Sequence, residues 1–314
     1  MALGLGRFCY RVLYHPTHHI RYNINHFGIR GWLKMVSGKK KLRKIAVESE
    51  IIHLYSGTEE CITFNFLTGK DYWYQTITCI KSLKIHCQEN FRVNFYSDGS
   101  LSDKQVEYIQ RQVPLANYVD ELTVEKHLNQ VLPRHNFPTL RYLRDSHPFF
   151  RRLFDIHTSG GWSIHLDSDM IFYGHPGELI SAHQTGQAVF MKERLDRSYY
   201  ADDLEILKQN FEIDCVTHLN GGIVAYDNRQ VNYVDLEKKS QVLLHNYPTC
   251  GPARLEQTLM SHILFQQNGM ALNEKFYNII YEKSAIPQPE AIVRHYIFKA
   301  KLPYFHSAWK QIYL

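Results

Sequence analysis

Residues 160–174 read GGWSIHLDSDMIFYG. A short apolar run, Trp162 to Leu166, passes straight into two carboxylates one residue apart, Asp167 and Asp169, and turns apolar again at Met170 to Tyr173. An acidic pair between hydrophobic segments is costly unless something positive neutralises it. The apolar run is strand-like, so the two carboxylates fall just past its carboxyl end, the edge where open α/β sheets bind ligands. Asp-x-Asp there offers oxygen ligands suited to a hard divalent cation held together with substrate phosphates. The plainer alternative is that the two residues only cap the following turn.

Outward from this stretch, strand-like and helix-like segments alternate from Cys61 onward, as a mostly parallel sheet requires. CITFNFL (61–67) reads as a strand, followed by a helix in which Trp73, Ile77, Ile80 and Leu83 recur at helical spacing. FRVNFYS (91–97) is a second strand, and Ser102 to Gln112 a second helix that opens with a Ser-x-x-Gln capping pattern at Ser102 and Gln105. NYVDEL (117–122) reads as a third strand. A stretch with Pro133, Pro138 and Pro148 leads to a helix, Phe149 to Thr158, stopped by Gly160 and Gly161. Later come AVFMKE (188–193), a polar helix near Asp202 to Asn210, the strand HLNGGIVAY (218–226), and helices from Val231 to His245 and from Leu255 to Gln267.

The 314-residue chain is 44% hydrophobic, enough for one large core, which excludes a disordered chain. Its net charge of +5 is unevenly placed: residues 1–50 hold ten Lys/Arg against Glu48 and Glu50, or +8. The remaining residues keep 26 of the 36 basic and 29 of the 31 acidic side chains, or −3, so the basicity belongs to the N-terminal arm. That arm, residues 1–57 with Pro16, several Gly and the KKKLRK run, reads as an extension ahead of an α/β domain at 58–314. Its cations beside Trp32, Leu33 and Met35 suit an anionic membrane surface or a solvated linker. No stretch approaches the roughly 20 apolar residues that span a bilayer. Arg7, Arg11 and His15 interrupt any signal-peptide core. The expectation is therefore a cytoplasmic protein, peripheral at a membrane. Six scattered cysteines without a CxxC pair fit reduced thiols.

RLFDIHTSGGWSIHLDSDMIF (152–172) resembles the segment of GT-A glycosyltransferases in which a helix leads into a strand and the Asp-x-Asp motif. The order of later motifs is similar to that of the family 8 retaining enzymes, the lipopolysaccharide hexosyltransferases and glycogenin relatives, and the resemblance runs from about residue 61 to 305, most of the chain. The resemblance implies a GT-A-like α/β fold, with a mostly parallel central sheet flanked by helices. It implies Mn²⁺ or Mg²⁺ bridging the diphosphate of a UDP-sugar, held by Asp167, Asp169 and a late histidine. In VRHYIFKAKLPYFHSAWK (293–310), His295 and Tyr296 match the family's HY-x-G-x-x-K motif and Lys301 stands at its diphosphate-binding lysine. Phe298 replaces the motif's glycine, and His306 is a rival ligand.

Further residues carry over one by one. Asn220-Gly221-Gly222 is similar to the Asn-x-Gly strand that places an amide against the donor sugar; two glycines admit close backbone approach, and equally suit a bulge or turn. Glu256-Gln257-Thr258 stands where the family has Asp-Gln-Asp, so the second acid is missing; Glu256 holds a sugar hydroxyl or is an ordinary solvated helix start, and Gln257 faces the anomeric carbon. Tyr72 stacks on uracil or packs at its helix start. Thr63 and Asn65 meet the uracil edge, Asp98 binds ribose or caps the YSDG turn, and Arg152 or its neighbour Arg151 lies near the donor. Loops near 188–200 and 218–222 discriminate the sugar.

The function implied is hexose transfer to a glycan, lipid-linked or protein acceptor, with retention. Two rivals differ in class: a metal-dependent phosphohydrolase or nucleotidyltransferase sharing the acidic pair, and a non-enzymatic anion-binding protein. A net-negative body and an arm with little aromatic interleaving speak against a nucleic-acid partner.

Overall fold

Continuous apolar runs at 62–68, 91–97 and 162–166 become the parallel centre of a mixed seven-stranded sheet, ordered β3-β2-β1-β4-β7-β6-β8. The strands are β1 Ile62–Thr68, β2 Phe91–Ser97, β3 Asn117–Val119, β4 Trp162–Leu166, β6 Val189–Lys192, β7 Leu219–Asp227 and β8 Met270–Ala271. β1 to β4 run parallel, while β7 lies antiparallel to both β4 and β6. The computed structural model describes residues 15–158, 160–194, 199–284 and 288–314. These fall into two compact units, one of Glu50–Ile279 and Pro287–His295, the other of Met1–Ser49, Ile280–Ile286 and Tyr296–Leu314.

In the larger unit, helices cover the sheet as the periodicity predicts: Trp73–His86, Asp103–Gln112, Leu204–Phe211, Tyr233–Asn246 and Pro252–Gln266. Gln105 Oε1 accepts from Ser102 N at 3.0 Å, so the capping pattern is formed. The third strand is shorter than expected. It ends at Val119, because Asp120 accepts from Thr123 N at 2.7 Å and caps the helix Glu121–Val131. The proline-containing stretch is helical as well: Pro138 opens the helix Pro138–Ser146, where a missing N–H costs nothing. The next helix starts at Pro148 and widens into a π-turn over Arg152–Ile156. A π-turn adds one residue to a turn and redirects the side chains around it. Arg151 turns to Glu121, 2.6 Å away, whereas Arg152 is buried.

A second, small sheet positions one side chain of consequence. β5 (Met170–Phe172) follows the two carboxylates; in the order β5-β10-β9, with β9 at Tyr277–Ile280, it pairs antiparallel with β10 (Val293–Tyr296), placing His295 opposite Met170 and thus next to Asp169.

In the smaller unit, the basic arm is a helix, His15–Glu48, bent at Gly28 (φ 69°, ψ 163°). It groups in one compact unit with the C-terminal segment Tyr296–Leu314. Asn23, Phe27, Leu42 and Ala46 are buried at helical spacing, a stripe that the glycines and lysines obscure in the sequence. Gly38 is required by proximity: a Cβ there would stand 1.8 Å from the Phe305 carbonyl oxygen.

Phe298, the residue in place of the resembling motif's glycine, has φ 47° and is exposed. That is the left-handed region, which costs an L side chain about 1 kcal/mol. Phe298→Gly is expected to raise stability by roughly 0.5–1 kcal/mol, read as an upward shift of the urea midpoint; an unchanged or lower midpoint would mean that the phenyl ring repays the strain.

Candidate functional site

At the carboxyl end of β4 the chain turns through Asp167, Ser168 and Asp169 before entering β5. Asp167 N donates to Gly222 O at 2.8 Å, which extends the β4–β7 pairing by one residue and ties the turn to the Asn-Gly-Gly strand. Ser168 is buried, and its hydroxyl lies 2.8 Å from Thr76 Oγ1, which donates to Thr68 Oγ1 at 2.8 Å. Three hydroxyls thus fix the turn between the first helix of the larger unit and the end of β1.

The carboxylates converge on a histidine. His295 Nε2 lies 3.0 Å from Asp169 Oδ1 and 3.6 Å from Asp167 Oδ2. One ligand atom from each of the three residues falls within 4.8 Å of the other two. His306 is exposed, on the segment Tyr304–Ala308 of the smaller unit, and belongs to no such group among the described residues. Lys301 opens the short helix Lys301–Pro303 of that same unit.

The buried surroundings charge and orient Asp167. His165 Nε2 is 2.9 Å from Asp167 Oδ1, and Arg152 Nη1 is 3.5 Å from the same oxygen. Burial alone would raise the Asp167 carboxyl, but the His165 hydrogen bond and the Arg152 charge outweigh it and hold the group below its usual range. Burial pushes the His165 imidazole down, against the pull of Asp167.

Arg152 itself is held by Glu256, through Nε at 3.0 Å and Nη2 at 2.8 Å, while Nη1 donates to Gly221 O at 2.9 Å. Glu256 is 1% exposed, which corrects the solvated helix start that its Arg-Leu-Glu-Gln context suggested. Burial raises the Glu256 carboxyl, and the Arg152 charge opposes this. Of the two neighbouring arginines it is Arg152 that reaches the carboxylates.

Asn220 is a braced side chain: Nδ2 donates to Glu193 Oε2 at 3.1 Å and Oδ1 accepts from Gly222 N at 2.9 Å. Gln257 donates from Nε2 to Leu219 O, one residue away on β7. The two glycines of this strand are needed for close approach. A Cβ at Gly221 would come within 2.6 Å of the Arg152 guanidinium, and one at Gly222 within 2.5 Å of the His295 ring. If the trio holds a divalent cation, Gly222→Ala is expected to displace His295 and weaken Mn²⁺ binding on the order of 10–100-fold, the cost typical of disturbing a ligand's support. Calorimetric Mn²⁺ titration checks this; unchanged affinity would mean that His295 is not a ligand.

A cleft of about 240 Å³ opens beside the pair, lined among others by Thr68, Gly69, Tyr72, Asp98, Phe149 and Arg152 together with the carboxylates. Tyr72 is 47% exposed, and burial followed by the nearby Asp169 carboxylate raises its hydroxyl. Asp98 faces the cleft and also caps its turn, accepting from Ser100 N at 2.9 Å. Thr63 and Asn65 do not line it, because β1 runs on to Thr68 and a strand advances only about 3.3 Å per residue. Asn65 is spent inside the sheet, donating to Ile164 O at 2.9 Å and accepting from Asn94 at 3.0 Å. Residues 195–198, part of the loop expected to discriminate the sugar, lie outside the described residues.

His165, Ser168 with its hydroxyl chain, and Glu193 were not singled out by sequence motifs. His165 and Asp167 alternate along one strand, which is the one sequence signal that could have linked them.

The donor set fits a hard divalent cation: two carboxylates supply oxygen and an imidazole supplies nitrogen. His295 is 3% exposed and its Nδ1 has no hydrogen-bond partner, so its ring is placed by the Gly222 backbone and the carboxylates rather than by a bond of its own.

No protein-family model and no curated protein matches this sequence. Solved structures do. The apo form of mouse xyloside xylosyltransferase 1 is similar at a TM-score of 0.52 and 14% identity, over 74% of this chain and 97% of that one. The apo WbbM bifunctional glycosyltransferase has a TM-score of 0.49 at 10% identity, over 83% of this chain and 52% of its own. The galactosyltransferase LgtC, in complex with donor and acceptor sugar analogues, has 0.47 at 10%, over 80% and 94%. On the likeness to the xylosyltransferase, and with a mixed sheet whose parallel centre ends in the Asp-Ser-Asp turn, this chain has the GT-A fold.

Proposed function

We propose that this chain is a metal-dependent glycosyltransferase that moves a hexose from a nucleotide diphosphate sugar, UDP-hexose first among them, to a hydroxyl of a glycan, lipid-linked or protein acceptor. The observation that carries the reading is the convergence of Asp167, Asp169 and His295 at the carboxyl edge of the sheet, beside a cleft walled by Tyr72 and Asp98. Asp167, Asp169 and His295 would hold Mn²⁺ or Mg²⁺, which supplies charge neutralisation of the departing diphosphate.

The remaining roles belong to the chain's own side chains. Tyr72 offers a ring face to the base and Asp98 a carboxylate to the ribose. Arg152, fixed by Glu256, brings positive charge toward the diphosphate, and Lys301, six residues after His295, keeps the place that the resembling motif gives its diphosphate-binding lysine. Asn220 and Gln257, both bonded along β7, present amides to the sugar. With both oxygens engaged by Arg152, Glu256 acts as a positioning residue. Thr258 stands where a second acid would, which speaks against a carboxylate nucleophile there, and it is the family 8 resemblance that favours retention. The acceptor hydroxyl attacks the anomeric carbon on the leaving-group side. Its proton passes to the departing diphosphate oxygen as the sugar–phosphate bond breaks.

A thermal-shift screen of nucleotide sugars with and without Mn²⁺ tests the reading. A ligand at 100 times its Kd stabilises the folded state by about 2.7 kcal/mol. A metal-dependent shift with UDP-sugars, followed by transfer to an acceptor, is expected. Release of inorganic phosphate from the ligand with no glycosylated product would favour the phosphohydrolase instead.

A further inference from the structure

The N-terminal helix buries one face and leaves another that water does not favour. Beyond the bend, Ile29, Leu33 and Val36 are 61%, 53% and 47% exposed. Their spacing of four and three residues puts them in one row, and Lys40 and Lys44 continue that row. Leu42 and Ala46 lie on the opposite side and are buried. Single exposed aliphatic residues are ordinary, but three branched ones in register on a helix mark an interaction surface. Charge names the partner. From Ile20 to Glu48 the helix has eight Lys/Arg and one acidic residue, Glu48.

Alongside the row, the helix and the C-terminal segment enclose a groove of about 350 Å³, lined by Leu33, Lys34, Ser37, Lys41, His306 and Lys310. Three ammonium groups and a histidine around one opening suit an anionic head group. The adjacent Leu33 side chain suits the acyl boundary just below it. A nucleic acid would engage the cations but has no use for the aliphatic row.

We propose that this helix docks the protein on an anionic lipid surface, with Ile29, Leu33 and Val36 entering the head-group boundary and a lipid phosphate seated between Lys34, Lys41 and Lys310. The helix lies in the interface, since no helix among the described residues is long and apolar enough to cross a membrane. The inference is independent of the glycosyl-transfer reading, and its test uses neither donor nor acceptor.

The full chain is sedimented with vesicles of phosphatidylcholine alone and of phosphatidylcholine mixed with phosphatidylglycerol. Binding is expected only to the mixed vesicles. The combined Lys34→Gln, Lys41→Gln and Lys310→Gln variant is expected to bind on the order of 100-fold more weakly, at roughly fivefold per cation near the surface. The Ile29→Gln, Leu33→Gln and Val36→Gln variant changes no charge and should lose at least about tenfold. Circular dichroism of each variant verifies the fold. Equal binding to neutral vesicles, or undiminished binding by either variant, would overturn the proposal. So would an oligonucleotide bound more tightly than vesicles and unaffected by the apolar variant, or a dimer that the apolar variant dissolves.

Discussion

Glu256→Ala is expected to cost about 3–5 kcal/mol of stability, because it strands a buried guanidinium. Arg152 gives Glu256 two short hydrogen bonds, and what remains after the substitution is Gly221 O at 2.9 Å and Asp167 at 3.5 Å. The penalty is the desolvated charge and not the net worth of the pair, so removing both members should hurt less than removing one. Arg152→Met combined with Glu256→Leu is therefore expected to recover much of the loss. At roughly 2–4 °C per kcal/mol for a chain of this class, the single variant should melt about 10 °C lower. A loss below about 1 kcal/mol in urea titration would mean that the guanidinium finds water once Glu256 is gone.

The second large effect is chemical. Asp169→Asn keeps the size of the side chain and removes a charge that lies 3.0 Å from His295 Nε2. If the pair holds the cation that neutralises the departing diphosphate, several kcal/mol of transition-state stabilisation go with it, a turnover loss on the order of a thousandfold. The fold should survive, since Asn fills the same space and the buried Ser168 hydroxyl, 2.8 Å from Thr76 Oγ1, holds the turn. His165→Ala should lower metal affinity less, by roughly 10–100-fold, because His165 acts through Asp167. Steady-state rates with Mn²⁺ in excess separate the two, as added metal rescues a weakened site better than one that lacks a ligand.

The central strands were legible because buried parallel strands are continuous apolar runs that little else imitates. The helices that escaped notice are hidden by their own starts: Asp120 read as the tail of a strand, and Pro138 as part of a proline-containing stretch ahead of a helix although it occupies the first helical position. In the N-terminal arm, Pro16, the glycines and the KKKLRK run mask a helix in which Gly38 leaves the Phe305 carbonyl the room that a Cβ would take. Asp167, Asp169 and His295 could be named from motif order. What unites them is the pairing of β5 with β10, which no local pattern encodes. Thr63 and Asn65 stand away from the cleft lining, because alternation along a strand says which face a residue takes, not how far it stands from the ligand edge. Glu193 and the Ser168–Thr76–Thr68 chain depend on register between distant segments and left no trace in local sequence.

The claim that most of this rests on is that Asp167, Asp169 and His295 bind a divalent cation that in turn anchors a nucleotide diphosphate. Calorimetric titration of UDP into the protein, with Mn²⁺ and then with the metal chelated, tests it directly. The account predicts binding with Mn²⁺, none detectable without it, and none in either condition for the combined Asp167→Asn and Asp169→Asn variant. Equal UDP affinity with and without Mn²⁺, or an unchanged Mn²⁺-dependent affinity in that variant, would contradict it.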